Sequence, residues 1–500
     1  MFERITPEQA GISSRNIERM ISFLERNGYV FHSLLLMKGD ALFGEYYWKP
    51  FNADFCHRMY SQTKSYVGIA IGLLAEEGKL SLDDPIVKYF PDKLDKTPYA
   101  HLAAQTVRDM LSMRTAVRPP NWFTSADPDR THEYLNEGRD IGPAGTVWAY
   151  DSAGSQVLAS LVERLAGMSL FDYLNEKIFR HLDTFRTATV LKTPSGDSWG
   201  DSALICTSRD MASFARLLCK GGMHEGKRLI PEEYLRQACS RVTYNHETAF
   251  SAYDEAGYGY QIWQTQMGGF AFHGMGGQFS IGIPELDFTV VVTGDNQGHR
   301  SAGQLLFAAI EEFLVLDMSS TPLPADDAAY ASLAERTADL RLAACAGEPV
   351  SEMATEIDGQ TYEMGENPYG WKWFSFALTD GASGVLRYEN AQGEKELPFA
   401  FGENIFCKFP QYGYSDGVGG VRTTNGFLYD CAVSAGWLCA NVLSLRVQII
   451  DRYFGNLFMM FSFKGDEVAI SMVKNAEDFL NEYHGRAMAR RRKDVAVTGL

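Results

Sequence analysis

Residues 58–75 read RMYSQTKSYVGIAIGLLA and place Ser61 and Lys64 three positions apart at the start of an apolar segment. Apolar side chains on every face are typical of a helix buried in a large core. Positions i and i+3 share one face of a helix, so Ser61 Oγ and Lys64 Nζ can meet. Burial disfavours the charged form of a lysine, which frees its amine to accept a proton. The segment therefore predicts a serine nucleophile with a lysine as its base.

A simpler interpretation of the same residues is a serine that caps a helix, followed by a solvated lysine. The rest of the first 320 residues decides against it, because further characteristic segments follow in a fixed order. They are residues 76–85 (EEGKLSLDDP), 88–91 (KYFP), 106–115 (TVRDMLSMRT), 143–152 (PAGTVWAYDS), 204–214 (LICTSRDMASF) and 258–263 (YGYQIW). Together with the S-x-x-K motif, this series resembles the serine β-lactamase-like family, the class C and CubicO group of penicillin-recognising hydrolases.

The resemblance implies an α+β fold, an α/β sandwich whose antiparallel sheet is built from both ends of the first 320 residues. A helical subdomain, roughly residues 66–200, is expected between the two halves of that sheet. In this family Ser61 would attack a carbonyl to form an acyl-enzyme, and Lys64 would take its proton. Tyr150, which stands at the tyrosine of the family's Y-x-N motif, would relay a proton to the leaving group. The alternative for Tyr150 is an ordinary half-buried core tyrosine.

Two further segments are candidates for substrate binding. Ser152 stands where the family commonly has asparagine, and its hydroxyl keeps hydrogen-bonding capacity but lacks the pair of amide donors. The family's third motif, K-T-G or H-x-G on a strand that lines the site, falls within residues 272–279, FHGMGGQF. Glycines there would let a substrate approach the backbone closely.

The third motif fits in two registers. One register puts His273 at the cationic position and makes the backbone N–H of Gly276 an oxyanion-hole donor beside that of Ser61. The other aligns Met275-Gly276-Gly277-Gln278 with an H-G-G-Q variant, loses the cation and makes Gln278 the donor. The second register is favoured for the backbone, with His273 kept as a neighbour of the site. A strand histidine with satisfied hydrogen bonds is the equally weighted alternative.

The composition is that of a globular enzyme. The net charge of −17 over 500 residues argues against non-specific binding of nucleic acid. The N-terminus lacks the basic and apolar regions of a signal peptide, and no apolar run has the length of a membrane span. Eight scattered cysteines and ten histidines show no metal-binding spacing. We therefore expect a cytoplasmic protein that uses no cofactor or metal and binds neither nucleic acid nor membrane. Homo-oligomerisation is left open.

The composition and the predicted secondary structure of the chain change near residue 320. Residues 319–327 (SSTPLPADD) have the composition of a linker, and a helix is expected to follow, so that linker and helix occupy residues 321–345. Residues 346–500 contain short runs rich in aromatic and β-branched residues, such as 371–378 and 443–450, separated by turn signals. This pattern predicts an all-β antiparallel barrel. It resembles the lipocalin-like C-terminal domains appended to some members of the family.

The sequence thus predicts a serine hydrolase that acts on a small ester or on an amide or peptide. A weakened cationic position in the third motif disfavours strong binding of a β-lactam carboxylate. The alternative from another class is a weakly catalytic sensor or binding protein of the penicillin-binding fold, which captures a ligand at Ser61. The substrate itself is not encoded in any motif, since one fold hosts many activities.

Overall fold

A computed structural model of the protein describes residues 2–119, 125–245, 253–379, 381–412, 428–477 and 479–493. The chain divides into two units, of which the first ends at Arg341 and the second begins at Leu342. Among the described residues, no helix is both long and apolar enough to cross a membrane. In the same part of the chain, no group of three or more His, Cys, Asp or Glu side chains is arranged to hold a metal ion.

A seven-stranded sheet forms the centre of the first unit. Its strands are β1 (Glu3–Arg4), β2 (Phe31–Lys38), β3 (Ala41–Tyr47), β4 (Trp263–Gln264), β5 (Phe270–Gly274), β6 (Gln278–Ile283) and β7 (Phe288–Gly294). The spatial order is β1-β3-β2-β7-β6-β5-β4. Neighbouring strands are antiparallel except for the short β1–β3 pair, which is parallel. Both ends of the unit therefore build one sheet, which confirms the predicted fold class.

Helices cover both faces of this sheet. The longer ones are α1 (Ser14–Arg26), α2 (Thr63–Glu76), α3 (Ser152–Ala166), α4 (Ser208–Cys219), α5 (Ala302–Ile310) and α6 (Asp327–Thr337). The shorter ones are Ala100–Ala104, Val107–Leu111, Arg130–Glu137, Leu170–Leu174, Arg180–Leu182 and Glu232–Ala238. Side chains alternate across a strand, so Leu34 and Leu36 of β2 pack with α1 and α5. Leu35 and Met37 face the opposite core, which includes α2 and α4.

The helical part lies between β3 and β4 in the chain. Its central helix, α2, is buried at every position from Thr63 to Leu74, which explains why the segment is apolar on all faces. The predicted helical insert of residues 66–200 agrees with this arrangement. Helix α4 follows the insert and packs back on strands β6 and β7. The insert therefore ends before Ser208.

The segment that the sequence marks as a linker is bonded to the first unit. The backbone N–H groups of Ser319 and Leu323 donate to the carbonyls of Gly11 and Glu8, at 2.9 and 2.8 Å. Helix α6 packs against α1 and ends at Thr337. Proline and serine mark the point where the chain leaves α5, but the contacts of the first unit continue to Arg341.

The second unit is a barrel. Its strands are β8 (Thr361–Met364), β9 (Trp373–Thr379), β10 (Ser383–Asn390), β11 (Gly393–Phe401), β12 (Ile405–Lys408), β13 (Asp430–Cys439), β14 (Val442–Ile450), β15 (Phe454–Lys464), β16 (Glu467–Ala476) and β17 (Gly485–Arg491), with a short helix, Met353–Ile357, before them. The described strands pair in the order β11-β10-β9-β8-β17-β16-β15-β14-β13, and a parallel β11–β13 pair closes the ring. Strand β12 pairs with β13 outside the ring. The predicted antiparallel barrel is confirmed, with nine strands in its ring and one parallel closure.

Aromatic side chains fill the barrel. Phe461 lies 5.2 Å from Phe374 and 5.0 Å from Phe376, measured between ring centroids. Trp371 stacks on Tyr388 at 4.1 Å. All five side chains are buried, so dispersion and apolar burial between rings stabilise this unit.

Candidate active site

Ser61 is presented by a tight turn in front of α2. The short strand His57–Arg58 pairs with Leu204–Cys206, and a 3₁₀ turn, Tyr60–Gln62, then leads into the helix. Tyr60 has a φ of 47°, a left-handed conformation that a tyrosine adopts at a cost and that is found at functional turns. Ser61 is half-exposed. It therefore lies just before the α-helix, in a turn whose positions i and i+3 eclipse one another.

Lys64 is buried directly below this turn. Its Nζ donates to Ser61 Oγ at 3.0 Å and to the carbonyl oxygen of Asp201 at 2.6 Å. Only 2% of its side chain is exposed. The same nitrogen lies 5.1 Å from the ring centroid of Tyr150. The structure thus brings Ser61, Lys64 and Tyr150 together from two helix N-termini.

Tyr150 is held by an aromatic neighbour. Its ring stacks on Trp263 of β4, with centroids 5.8 Å apart and planes 25° apart. Trp263 in turn makes edge contacts with Trp148 and Tyr258 at 5.7 and 5.1 Å. The phenol is therefore fixed between the Lys64 amine on one side and the edge of the sheet on the other.

Ser152 is the first residue of α3 and is half-buried. The residue before it, Asp151, caps the helix, and its Oδ1 accepts from the N–H of Gly154 at 3.0 Å. Asp151 also accepts from the Thr115 hydroxyl at 2.9 Å. Burial raises the pKa of this carboxyl, although these hydrogen bonds oppose the effect. The carboxylate at the middle position of the Y-x-N segment is thus used in positioning α3 and Tyr150.

The end of β5 lies against the turn that carries Ser61. A Cβ atom on Gly274 would sit 2.1 Å from the carbonyl oxygen of Met59, a distance that only glycine permits. One strand further, the Ser280 hydroxyl donates to Gln62 Oε1 at 2.9 Å. Strands β5 and β6 therefore form a wall directly beside Ser61.

His273 is on the other face of that wall. It pairs across the strands with Phe279, and the two rings stack at 4.5 Å. Phe279 belongs to the core under α1 and α5, whereas Phe272 belongs to the core around α2. The strand alternation thus directs the imidazole away from the face that carries Gly274.

The glycine turn after β5 is shaped by positive backbone angles. Gly276 and Gly277 have φ values of 80° and 95°, a region that favours glycine. The side chain of Gln278 bridges this turn to β7, since its Nε2 donates to the carbonyls of Gly294 and Met275 at 2.7 and 3.0 Å. The side-chain amide of Gln278 is therefore hydrogen-bonded within the protein. A ligand beside this segment would contact its backbone groups.

Gly274→Ala tests the close approach of β5 to the turn that carries Ser61. The added methyl has to push the strand and the turn apart, which should destabilise the protein by ~1–3 kcal/mol and lower its activity. Thermal unfolding and an activity assay measure the two effects. Gly303→Ala is the matched control, because its Cβ would meet only Phe279, at 3.8 Å. Equal melting temperatures for the two variants would contradict this role of Gly274.

Two residues of the site have no role predicted from the sequence, although one of them lies in the characteristic segment 258–263. Gln261 has a φ of 59°, and its Nε2 donates to the carbonyl of Met110 at 3.0 Å. Its Oε1 and its backbone carbonyl accept from the hydroxyls of Ser155 in α3 and Ser65 in α2, both at 2.7 Å. Through its side chain and its backbone carbonyl together, Gln261 links α3, which follows Tyr150, to α2, which carries Lys64. Asp201, the second residue, reaches Lys64 from 137 positions along the chain.

The central sheet carries an inserted helical part, and a serine and a lysine lie at the start of a buried helix. These features define a serine hydrolase of the penicillin-recognising fold. Residues 32–311, more than half of the chain, match the family named Beta-lactamase. The protein belongs to this β-lactamase family.

Two proteins illustrate the similarity. The 6-aminohexanoate-dimer hydrolase of Paenarthrobacter ureafaciens is 29% identical over 266 residues, which span 48% of this chain and 67% of that enzyme. A solved structure from Bacillus anthracis, provisionally assigned the same activity, has a TM-score of 0.52 at 19% identity. It covers 65% of this chain and 89% of that one. This second similarity shows the fold alone.

Proposed function

We propose that the protein hydrolyses linear amides through an acyl-enzyme at Ser61, with Lys64 as the base and Tyr150 as the proton relay. The observation that carries the proposal is the 3.0 Å contact between Lys64 Nζ and Ser61 Oγ. A nucleophile and its base at hydrogen-bond distance are the signature of an activated serine.

In the proposed reaction, Ser61 Oγ bonds to the carbonyl carbon while its proton passes to Lys64. The tetrahedral oxyanion that forms is bound by backbone N–H groups, those of Ser61 and of Gly276 or Gln278. Its collapse breaks the bond to the leaving nitrogen, which takes a proton from Tyr150, and Lys64 returns a proton to the phenol. Water then attacks the ester at Ser61 and releases the acid.

Linear substrates are favoured over β-lactams by two features. The turn of residues 275–277 is Met-Gly-Gly and carries no cationic side chain, and the imidazole of His273 packs between the rings of Phe279 and Trp263, at 4.5 and 5.9 Å. The half-exposed rings of Tyr150 and Trp263 instead offer an apolar platform beside the nucleophile. The similarity to a 6-aminohexanoate-dimer hydrolase supports an amide with a flexible aliphatic chain.

A substrate panel tests the proposal. The protein is first labelled with a fluorophosphonate, and the modified peptide is identified by mass spectrometry. Turnover is then compared for 6-aminohexanoate dimer, short acyl p-nitroanilides, p-nitrophenyl esters and nitrocefin. We expect labelling at Ser61 and faster turnover of the linear amides than of nitrocefin. Labelling without turnover of any amide or ester would instead favour a ligand-capturing protein.

Tyr150→Phe isolates the phenolic hydroxyl. Phenylalanine keeps the ring contacts with Lys64 and Trp263, so the fold should be unaffected. Loss of the proton relay should lower kcat on amides by roughly 10²–10⁴-fold, the usual contribution of general acid–base catalysis. Tyr258→Phe, which alters a buried ring of the same aromatic cluster, is the control and should retain activity. A Tyr150→Phe enzyme with wild-type kcat would exclude the relay.

A further inference from the structure

A buried carboxyl group lies beside the proposed base. Asp201 Oδ2 is 3.9 Å from Lys64 Nζ, and the two side chains are 4% and 2% exposed. The backbone carbonyl of the same residue accepts from that nitrogen at 2.6 Å. Lys64 is thus in contact with both ends of one aspartate, in a place that water reaches poorly.

Two buried arginines, Arg58 and Arg130, interact electrostatically with this carboxyl. Arg58 is buried, and its Nε donates to the carbonyl of Ser202 at 3.0 Å. The guanidinium groups of Arg58 and Arg130 both lie over the ring of Trp199, at 4.5 and 5.0 Å. Guanidinium groups do not lose their protons in this range. The protons that can move here therefore belong to Asp201, Lys64, Ser61 and Tyr150.

The protonation of Asp201 reflects two opposing effects. Burial raises the pKa of its carboxyl, and the charges of Lys64, Arg130 and Arg58 lower it. Burial is the larger effect. The positive charge of Lys64 is thus one of the interactions that favour the ionised form of this carboxyl against its burial.

We propose that Asp201 is a positioning residue that sets the charge of Lys64 and stabilises the ammonium formed when Lys64 takes the proton of Ser61. This inference rests on the proposed role of Lys64 as base. A carboxylate within ~4–6 Å of an amine favours the charged form of that amine. Its removal should therefore let Lys64 become a free amine at lower pH, and should also make that amine a weaker base.

The test is the pH dependence of Ser61 labelling. The second-order rate of reaction with a fluorophosphonate is measured between pH 5 and 10 for the wild type and for Asp201→Asn. For Asp201→Asn, we expect the rise of the labelling rate with pH to occur about 1–2 pH units lower than in the wild type. The maximum rate reached at high pH should be smaller. Asp197→Asn is the matched control, since that nearby carboxylate accepts from the hydroxyls of Ser160 and Ser195 at 2.7 and 2.5 Å. The labelling rate of Asp197→Asn should rise over the same pH range as that of the wild type.

The outcomes separate this inference from the proposed function. If the wild type is not labelled at Ser61, the proposed function fails. If the labelling rate of Asp201→Asn has the same pH dependence as that of the wild type, only the role of Asp201 is overturned. Should that variant not fold, the smaller Asp201→Ser replaces it. Should neither fold, ¹³C NMR of aspartate carboxyls in the wild type decides, because a carboxyl that does not titrate along with the rise of the labelling rate contradicts the coupling to Lys64.

Discussion

Ser61→Ala is expected to lower amide turnover by at least about 10³-fold and to abolish covalent labelling, because a nucleophile and its base act as a unit. The substitution removes one oxygen from a half-exposed turn. Lys64 keeps its hydrogen bond to the carbonyl of Asp201, so the melting temperature should change little. Labelling by a fluorophosphonate, initial rates and thermal unfolding measure the three effects.

A second serine provides the control for this experiment. Ser213 lies in α4, where its hydroxyl donates to the carbonyl of Arg209 at 2.9 Å within the helix. Ser213→Ala should be labelled and should turn over substrate as the wild type does. Persistent labelling of the Ser61→Ala protein would place the nucleophile elsewhere.

Lys64→Arg should lose about 10³-fold or more in the rate of acylation while it keeps the positive charge. A guanidinium stays protonated throughout the accessible pH range, so it cannot accept the proton of Ser61. The charge still compensates Asp201, and the protein should remain folded. The labelling rate up to pH 10 measures the loss, since no increase with pH is expected in this variant.

Lys64→Met complements this variant. It removes both the base and the charge, and leaves the buried carboxyl of Asp201 without the ammonium that lies 3.9 Å away in the wild type. Loss of one partner of a buried ion pair is strongly destabilising, so this variant should melt at a lower temperature than Lys64→Arg. Near-native labelling of Lys64→Arg would mean that Lys64 serves only as a fixed charge.

The sequence predicts the parts of the site that depend on local spacing. Ser61 and Lys64 are three residues apart in one turn, so their contact follows from helical geometry alone. The family resemblance adds Tyr150, whose place beside Lys64 depends on how α3 packs. Asp201 lies in a segment without a distinctive pattern, and Gln261 lies in the characteristic segment 258–263 without a predicted role. The tertiary fold brings both residues to α2.

The register of the glycine-rich third motif is a second feature that the sequence does not determine. A turn made of Met275, Gly276 and Gly277 carries too few side chains to show where the strand ends, so the sequence favours one of two registers without excluding the other. The observed pairing of Gly274 with Gln278 fixes the strand ends. The boundary between the two units is another feature that the sequence predicts only in part. The composition changes near residue 320, whereas the contacts of the first unit continue to Arg341.

The central pairing of β2 with β7 has a consequence for synthesis of the protein. Leu35 and its partner Val291 are about 250 residues apart, so β2 lacks this neighbour until most of the first unit has left the ribosome. At 5–20 residues per second this interval lasts roughly 13–50 s. During that time the apolar edge formed by Leu34 to Met37 is open to chaperones and to other nascent chains. The barrel strands mostly pair with their neighbours in sequence, so the second unit can assemble soon after it emerges.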